Sequence, residues 1–253
     1  MPSNPILIVL VKPLYPGNVG AVARAMANCG LTELTVVGCR WDGWPREAYQ
    51  LASGADPILR SARRVDTLAE ALQDSVLAAA TTSRDRADGV PLVTHREAAP
   101  RLLAARASGR VAVVFGPEDR GLSGDEMALC SVRIRIPTST MHSSLNLAQA
   151  VLLVAHEMFV IGSSTDVAPG SSAASPLPAD LGEQNSLFDE LQALLDSVGF
   201  LNPQNPDHIM KSIRQVFLRG RLDDREVRIF RGMVRQLRWA LGRVRGGGVG
   251  APD

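Results

Sequence analysis

The fingerprints of several common enzyme classes are missing from this chain of 253 residues. No G-x-G-x-x-G follows a β-rich run, no G-x-x-x-x-G-K-[ST] is present, and no G-x-S-x-G elbow occurs, so dinucleotide, nucleoside-triphosphate and hydrolase chemistry lack their signatures. Cysteine is scarce. Cys29, Cys39 and Cys130 are odd in number, far apart and in no metal-ligand or redox spacing, which reads as reduced apolar filler in a cytoplasmic protein. His95, His142, His156 and His208 are scattered, and "HEMFV" at 156–160 lacks the second histidine of a zincin. No metal is expected, and His156 reads as a helix residue near the domain surface. Long apolar runs are absent too: "ILIVLV" (Ile6 to Val11) has no basic segment before it and is cut by Lys12-Pro13, so it is neither a signal segment nor a membrane span.

What is present begins with a charge asymmetry hidden under a net charge of +1. Between His208 and Arg245 eleven Lys and Arg face only Asp223, Asp224 and Glu226, a net of +8 that leaves −7 on the rest of the chain. A basic module on an acidic body is the footprint of a phosphate-backbone partner, with a solvated helical face as the competing reading. Residues 163–180, "SSTDVAPGSSAASPLPAD", offer nothing to bury and read as a linker. Two domains follow, at 1–162 and 181–245, with 246–253 as a disordered Gly-rich tail.

The first domain reads as α/β. Short β-rich runs at Ile6 to Val11, Leu34 to Val37, Val76 to Thr81, Val111 to Phe115 and Val132 to Ile136 alternate with helical patterns, which predicts a parallel sheet covered on both faces. The second reads as all-α: a helix over Ser186 to Ser197 closed by Gly199, another opened by Asn205-Pro206, and a last helix from about Asp224 to Leu241 opened by an Asp223/Glu226 capping box.

Three stretches fall where a parallel sheet places its ligands, at the carboxyl ends of strands. In "KPLYPGNVGAVARAMANCG", Gly17 and Gly20 would let a ligand approach the start of a helix, and Arg24 shares their face; an ordinary turn and N-cap is the alternative. In "VAVVFGPEDRGLSGDEM", Gly116 ends an apolar strand and Glu118 lies in the turn, while Ser123 with Glu126 makes a capping box. In "TSTMHSSLNLAQ" one serine suffices to cap the long apolar helix that begins near Leu145, leaving a second serine and Asn146 as surplus polar groups.

Taken in order, "PGNVGAVARAM", "FGPEDRGLS" and "IPTSTMHSSLNLAQAV" resemble the three motifs of the SPOUT-class RNA ribose methyltransferases, and "SVGFLNPQNPDHIMKSIRQVFLRGRLDDREVRIFRGMVRQL" resembles the C-terminal helical module of the TrmJ-type tRNA 2′-O-methyltransferases. The resemblance implies a C-terminal trefoil knot in the α/β domain, which general topology rules would have rejected. It also implies S-adenosylmethionine bound in the knot, a homodimer with both active sites at the subunit interface, and tRNA as partner, with the nucleotide at position 32 of the anticodon loop as target. Ribosomal RNA, another tRNA position or a catalytically inactive RNA-binding relative remain alternatives, as does a small-molecule enzyme on the same α/β domain.

Carried over residue by residue, the resemblance puts the cofactor loops at Thr82, Ser83, Arg84, Gly116, Ile136, Ser143, Ser144 and Leu145. One serine then caps and faces the cofactor, while Ser144 and Asn146 help build the reaction centre. Arg24 matches the arginine at the reaction centre of the class. A guanidinium is a poor proton acceptor, so Arg24 is expected to clamp a phosphate and stabilise the developing alkoxide, with Asn18 orienting the ribose and Glu118 holding the arginine. Arg225, Arg228 and Arg235 are the expected RNA contacts.

Overall fold

The computed structural model describes residues 5–83, 90–141, 143–164, 179–201, 206–220 and 222–246. Two compact units partition the chain, Met1–Ser175 and Pro176–Asp253. The expected linker falls almost wholly on 165–178, outside the described residues, as do Arg84, Asn205, Arg221 and the tail from 247.

The described residues of unit 1 form seven strands: β1 (Ile6–Val11), β2 (Glu33–Val37), β3 (Arg63–Val65), β4 (Ser75–Thr81), β5 (Leu92–Thr94), β6 (Arg110–Phe115) and β7 (Val132–Arg135). Every pairing among them is parallel, in the order β3-β2-β1-β6-β4-β7-β5. Residues Ile6 to Val11 are all buried. Ile6, Ile8 and Leu10 share one cluster with Leu34, Val36, Val111 and Val113, and Leu7, Val9 and Val11 on the opposite pleat are buried as well. A strand buried on both faces must be a continuous apolar run, which is why β1 and β6 were legible. The edge strands β3 and β5 were not foreseen: "RRV" and "LVT" are too short to carry a period.

Helices α1 (Pro16–Asn28), α2 (Arg46–Ala52), α3 (Asp56–Ser61), α4 (Leu68–Leu72), α5 (His95–Ala105), α6 (Gly124–Ala128) and α7 (Leu147–Ser164) fill the connections. Pro16 opens α1 and Gly30, at φ +69°, closes it. Its apolar side, Val19, Val22, Ala23 and Met26, enters the core beside Val151, Val154 and Met158 of α7. The outer side of α7 is apolar too: Leu152, Leu153, Phe159 and Val160 are 39% to 47% exposed. His156 lies among them, exposed, as expected. No helix of the described residues is long and apolar enough to cross a membrane. Cys29 and Cys130 are buried; burial raises the thiol of Cys29 above its ordinary value and pushes that of Cys130 up to about 12, with the Arg133 charge opposing the latter.

Unit 2 is helical: α8 (Leu181–Ser197), α9 (Pro206–Gly220) and α10 (Asp224–Gly246). The first of these starts at Leu181 rather than Ser186, because Asp180 caps it by accepting from the Glu183 N–H at 2.7 Å and both Leu181 and Gln184 are buried. The Asp223/Glu226 box opens α10 as the spacing predicts. Phe217 of α9 joins the helices, meeting Phe188 of α8 and Phe230 of α10 edge-on at 5.6 and 4.9 Å. Val227, Phe230, Val234 and Leu241 pack in this core, but Leu237 stays 53% exposed. Arg214 donates to Asn185 and lies 4.6 Å over the Phe188 ring; burial holds its guanidinium below the ordinary value, with Asp189 opposing.

Candidate active site

Strand order creates the site. Because β4 lies between β6 and β7, the carboxyl ends of three strands far apart in sequence become neighbours. Thr81 Oγ1 donates to the Val114 carbonyl at 3.0 Å, tying β4 to β6, and the Thr82 N–H donates to the Ile134 carbonyl at 2.9 Å, tying β4 to β7. Above them opens a cavity of about 330 Å³.

Seven of the residues expected in the cofactor loops, Thr82, Ser83, Gly116, Ile136, Ser143, Ser144 and Leu145, line this cavity, and Glu118 joins them. Arg84 lies outside the described residues. Asp119, Arg120, Gly121 and Leu122, which sequence reasoning missed, line it as well. Their signal was position: they continue the loop that begins at the strand-end Gly116. A Cβ on Gly116 would run into the backbone of Gly121 and Leu122, so this glycine is demanded first by the loop's own fold. Thr138 Oγ1 donates to the Ser143 carbonyl at 3.2 Å and fixes the opposite wall.

A polar chain adjoins the cavity. The Glu118 carboxylate accepts from the Leu14 N–H at 2.9 Å and from Asn18 Nδ2 at 2.8 Å, and Asn18 Oδ1 in turn accepts from Asn146 Nδ2 at 3.0 Å. Three of the five expected catalytic residues are thus hydrogen-bonded together across more than a hundred residues of sequence. Asn146 has a second task that was expected of a serine. Its Oδ1 accepts from the Ala148 N–H at 2.9 Å, and Gln149 accepts from the Asn146 N–H at 3.2 Å, so Asn146 caps α7 in a capping-box arrangement. Ser143 and Ser144 are both left exposed at the cavity wall.

Two expectations about α1 are corrected. Glu118 does not hold Arg24; its carboxylate is bound at the start of α1, and Arg24 lies six residues beyond Asn18, about 9 Å along the axis. Arg24 is exposed, does not line the cavity and has no hydrogen bond or ion pair among the described residues. Nor do Gly17 and Gly20 face a ligand. A Cβ on Gly20 would collide with the Ala48 carbonyl, so this glycine admits α2 against α1, and one on Gly17 would point at the side-chain ends of Glu47 and Leu51 of α2. Gly20→Ala is therefore expected to lower stability by about 1–3 kcal/mol, read as a fall in the urea midpoint, with cofactor binding by the folded fraction unchanged. Loss of binding at unchanged stability would instead put Gly20 at a ligand.

Sequence and structure comparisons agree with this architecture. Residues 5–156 match the SpoU rRNA Methylase family, and residues 183–246 match the C-terminal domain of the tRNA methyltransferase TrmJ. The tRNA (cytidine/uridine/adenosine-2′-O-)-methyltransferase TrmJ of Pseudomonas aeruginosa is 36% identical, with 90% of this chain and 92% of that protein covered. The tRNA (cytidine/uridine-2′-O-)-methyltransferase TrmJ of Klebsiella pneumoniae is also 36% identical, over 90% of this chain and 94% of its own length. The crystal structure of TrmJ from Z. mobilis superimposes with a TM-score of 0.79 at 36% identity, covering 92% of this chain and 98% of that one. On a parallel sheet with its cavity at the joined ends of β4, β6 and β7, and on matches that span both units, the chain belongs to the SpoU methylase family and, within it, to the TrmJ-type proteins.

Proposed function

We propose that this chain transfers a methyl group from S-adenosylmethionine to a ribose 2′-hydroxyl of tRNA, at position 32 of the anticodon loop, as a cytoplasmic enzyme. The observation that carries the reading is the cavity with the Glu118–Asn18–Asn146 chain beside it. Its size suits a nucleoside-sized ligand, its walls at Phe115, Leu122, Ile134 and Leu147 suit an adenine, and Thr82, Ser143 and Ser144 offer polar groups for the ribose and methionine ends. Bound there, S-adenosylmethionine supplies an electrophilic methyl on a sulfonium. The chain's own residues then do the positioning: Asn18, held from both sides by Glu118 and Asn146, has a fixed amide with which to orient the target ribose. Arg24 keeps a free guanidinium for the adjacent phosphate and the developing alkoxide.

Two further parts of this reading rest on α7. Its outer residues Leu152, Leu153, Phe159 and Val160 form an apolar surface suited to a second copy, and α1, which carries Arg24, packs beside it. A homodimer through this surface would carry an exposed Arg24 toward an active site at the interface. The knot is supported by β7 entering the sheet beside β4 while α7 returns to pack on α1 and α5.

Transfer of labelled methyl from S-adenosylmethionine to tRNA, with the modified nucleotide mapped by mass spectrometry, tests the proposal. A 2′-O-methyl group at position 32 is expected. Label in ribosomal RNA alone, or at another tRNA position, would replace the substrate, and no transfer to any RNA would leave an RNA-binding relative.

A further inference from the structure

The outer face of α10 holds one residue that a purely electrostatic surface does not call for. Positions 225, 228, 232, 235, 239 and 243 follow one another at steps of three or four and so share a helix face. They are Arg, Arg, Gly, Arg, Trp and Arg, and all are exposed. Of the three tryptophans in the chain, Trp41 and Trp44 are packed 6.2 Å apart in unit 1, and Trp44 donates to the Leu59 carbonyl at 2.6 Å with Arg64 over its ring. Trp239 has no such support. It is 56% exposed, its indole N–H has no acceptor among the described residues, and its one described partner is Arg243, whose guanidinium lies 4.8 Å from the ring centroid. Gly232, one turn from Arg228 and Arg235 on the same face, has nothing within 4 Å of where a Cβ would stand. Packing against the described residues therefore does not require a glycine there, although glycine inside a helix is unfavourable by about 1 kcal/mol.

We infer that Trp239 is a stacking platform for an unpaired base of the RNA substrate. This rests on the reading that the arginines of α10 meet tRNA, and it adds what kind of RNA that face takes. Surfaces for single-stranded nucleic acid combine guanidinium groups, which follow the backbone, with an aromatic ring on which a base lies. In a duplex the bases are already stacked on one another and present edges rather than faces, so an exposed tryptophan finds no base to stack on. Here Arg225, Arg228 and Arg235 supply the phosphate contacts, Gly232 leaves room for the sugar-phosphate backbone against the helix, and Arg243 can close on a base lying on the indole. A protein partner would be met differently. The exposed apolar residues Ile229, Met233 and Leu237 recur at steps of four on another face of α10, and Trp239 stands apart from them among arginines.

The test compares Trp239→Ala and Trp239→Phe with the wild type in full-length protein, against tRNA, a short single-stranded oligoribonucleotide and a perfect RNA duplex. Trp239→Ala is expected to weaken tRNA and oligonucleotide binding about five- to hundredfold, with the salt slope and duplex binding unchanged, and Trp239→Phe to restore most of the loss. Titrating the oligonucleotide into wild-type protein should quench tryptophan fluorescence, and the quench should vanish in Trp239→Phe, a readout that holds even if the alanine variant folds poorly. Wild-type tRNA affinity in Trp239→Ala, while reversal of Arg225, Arg228 and Arg235 to Glu still weakens binding, would overturn the stacking role and leave the arginine face standing. If both variants bind normally, the arginine-face reading fails and takes this inference with it. Equal losses on duplex and oligonucleotide, or a changed sedimentation mass at unaltered tRNA affinity, would also overturn it, the latter in favour of a protein contact.

Discussion

Arg24→Ala will abolish most methyl transfer, lowering kcat roughly 10²- to 10³-fold, while S-adenosylmethionine binds within a few-fold of wild type. The expectation comes from what Arg24 does not do. It lines no part of the cavity and pairs with nothing among the described residues, so its loss removes no wall and no internal contact. A long cationic side chain kept free on an exposed face is available to a phosphate and to charge that develops only in the transition state, and a group of that kind lowers kcat when deleted. Calorimetry with S-adenosylmethionine and single-turnover transfer to tRNA separate the two quantities. If Arg24→Ala lost cofactor binding, the substrate-side assignment would be wrong.

Reversing Arg225, Arg228 and Arg235 together to Glu should weaken tRNA binding well over tenfold at moderate salt, with cofactor binding and oligomeric mass unchanged. All three are exposed on α10, away from the face through which Val227, Val234 and Leu241 are packed, so the helical unit should stay folded. Each lost phosphate contact should lower the slope of log affinity against log salt by about 0.7 to 0.9. Not every arginine of this helix belongs to that set. Arg231 is bound to the Glu190 carboxylate at 2.6 Å and is committed to α8, whereas Arg238, exposed, only reaches the Glu190 carbonyl at 3.4 Å. Arg231→Glu should accordingly lower stability more than it lowers RNA affinity. Unaltered tRNA affinity and slope in the folded triple variant would remove α10 from the docking surface.

The contrast between those arginines shows where sequence reading stops. Arg231 and Arg235 stand four residues apart, a spacing that puts both on one side of a helix, but only the position of Glu190 on another helix decides which is spent inside the protein. The same limit applies to α1. A glycine at a strand-to-helix junction signals close approach, yet the approaching atom at Gly20 is the Ala48 carbonyl and not a ligand, and nothing local to "PGNVG" distinguishes them. Strands buried on both sides announce themselves as apolar runs, as β1 and β6 do, whereas β3 and β5 gain their strand character from a neighbour already in place. The cavity was legible because strand ends and motif order coincide. The bonds from Glu118 to Asn18 and on to Asn146 were not, since a loop, the first turn of α1 and the cap of α7 had to be brought together before their partners were defined.

The central place of β4 also sets a timetable for synthesis. Its pairing partner β6 begins at Arg110 and its other partner β7 only at Val132, long after β4 has ended at Thr81. At the 5–20 residues per second typical of a ribosome, the nascent chain holds β4 for several seconds with no second neighbour available. During that interval its backbone is an open edge, the arrangement through which strands of different molecules pair. Of the three strands whose carboxyl ends form the cavity, β4 is thus the one that waits, since both neighbours of β6 and of β7 precede them in the chain. β1 alone in unit 1 waits longer, from Val11 to Arg110, for β6, and chaperone binding or aggregation of truncated chains should centre on these two strands.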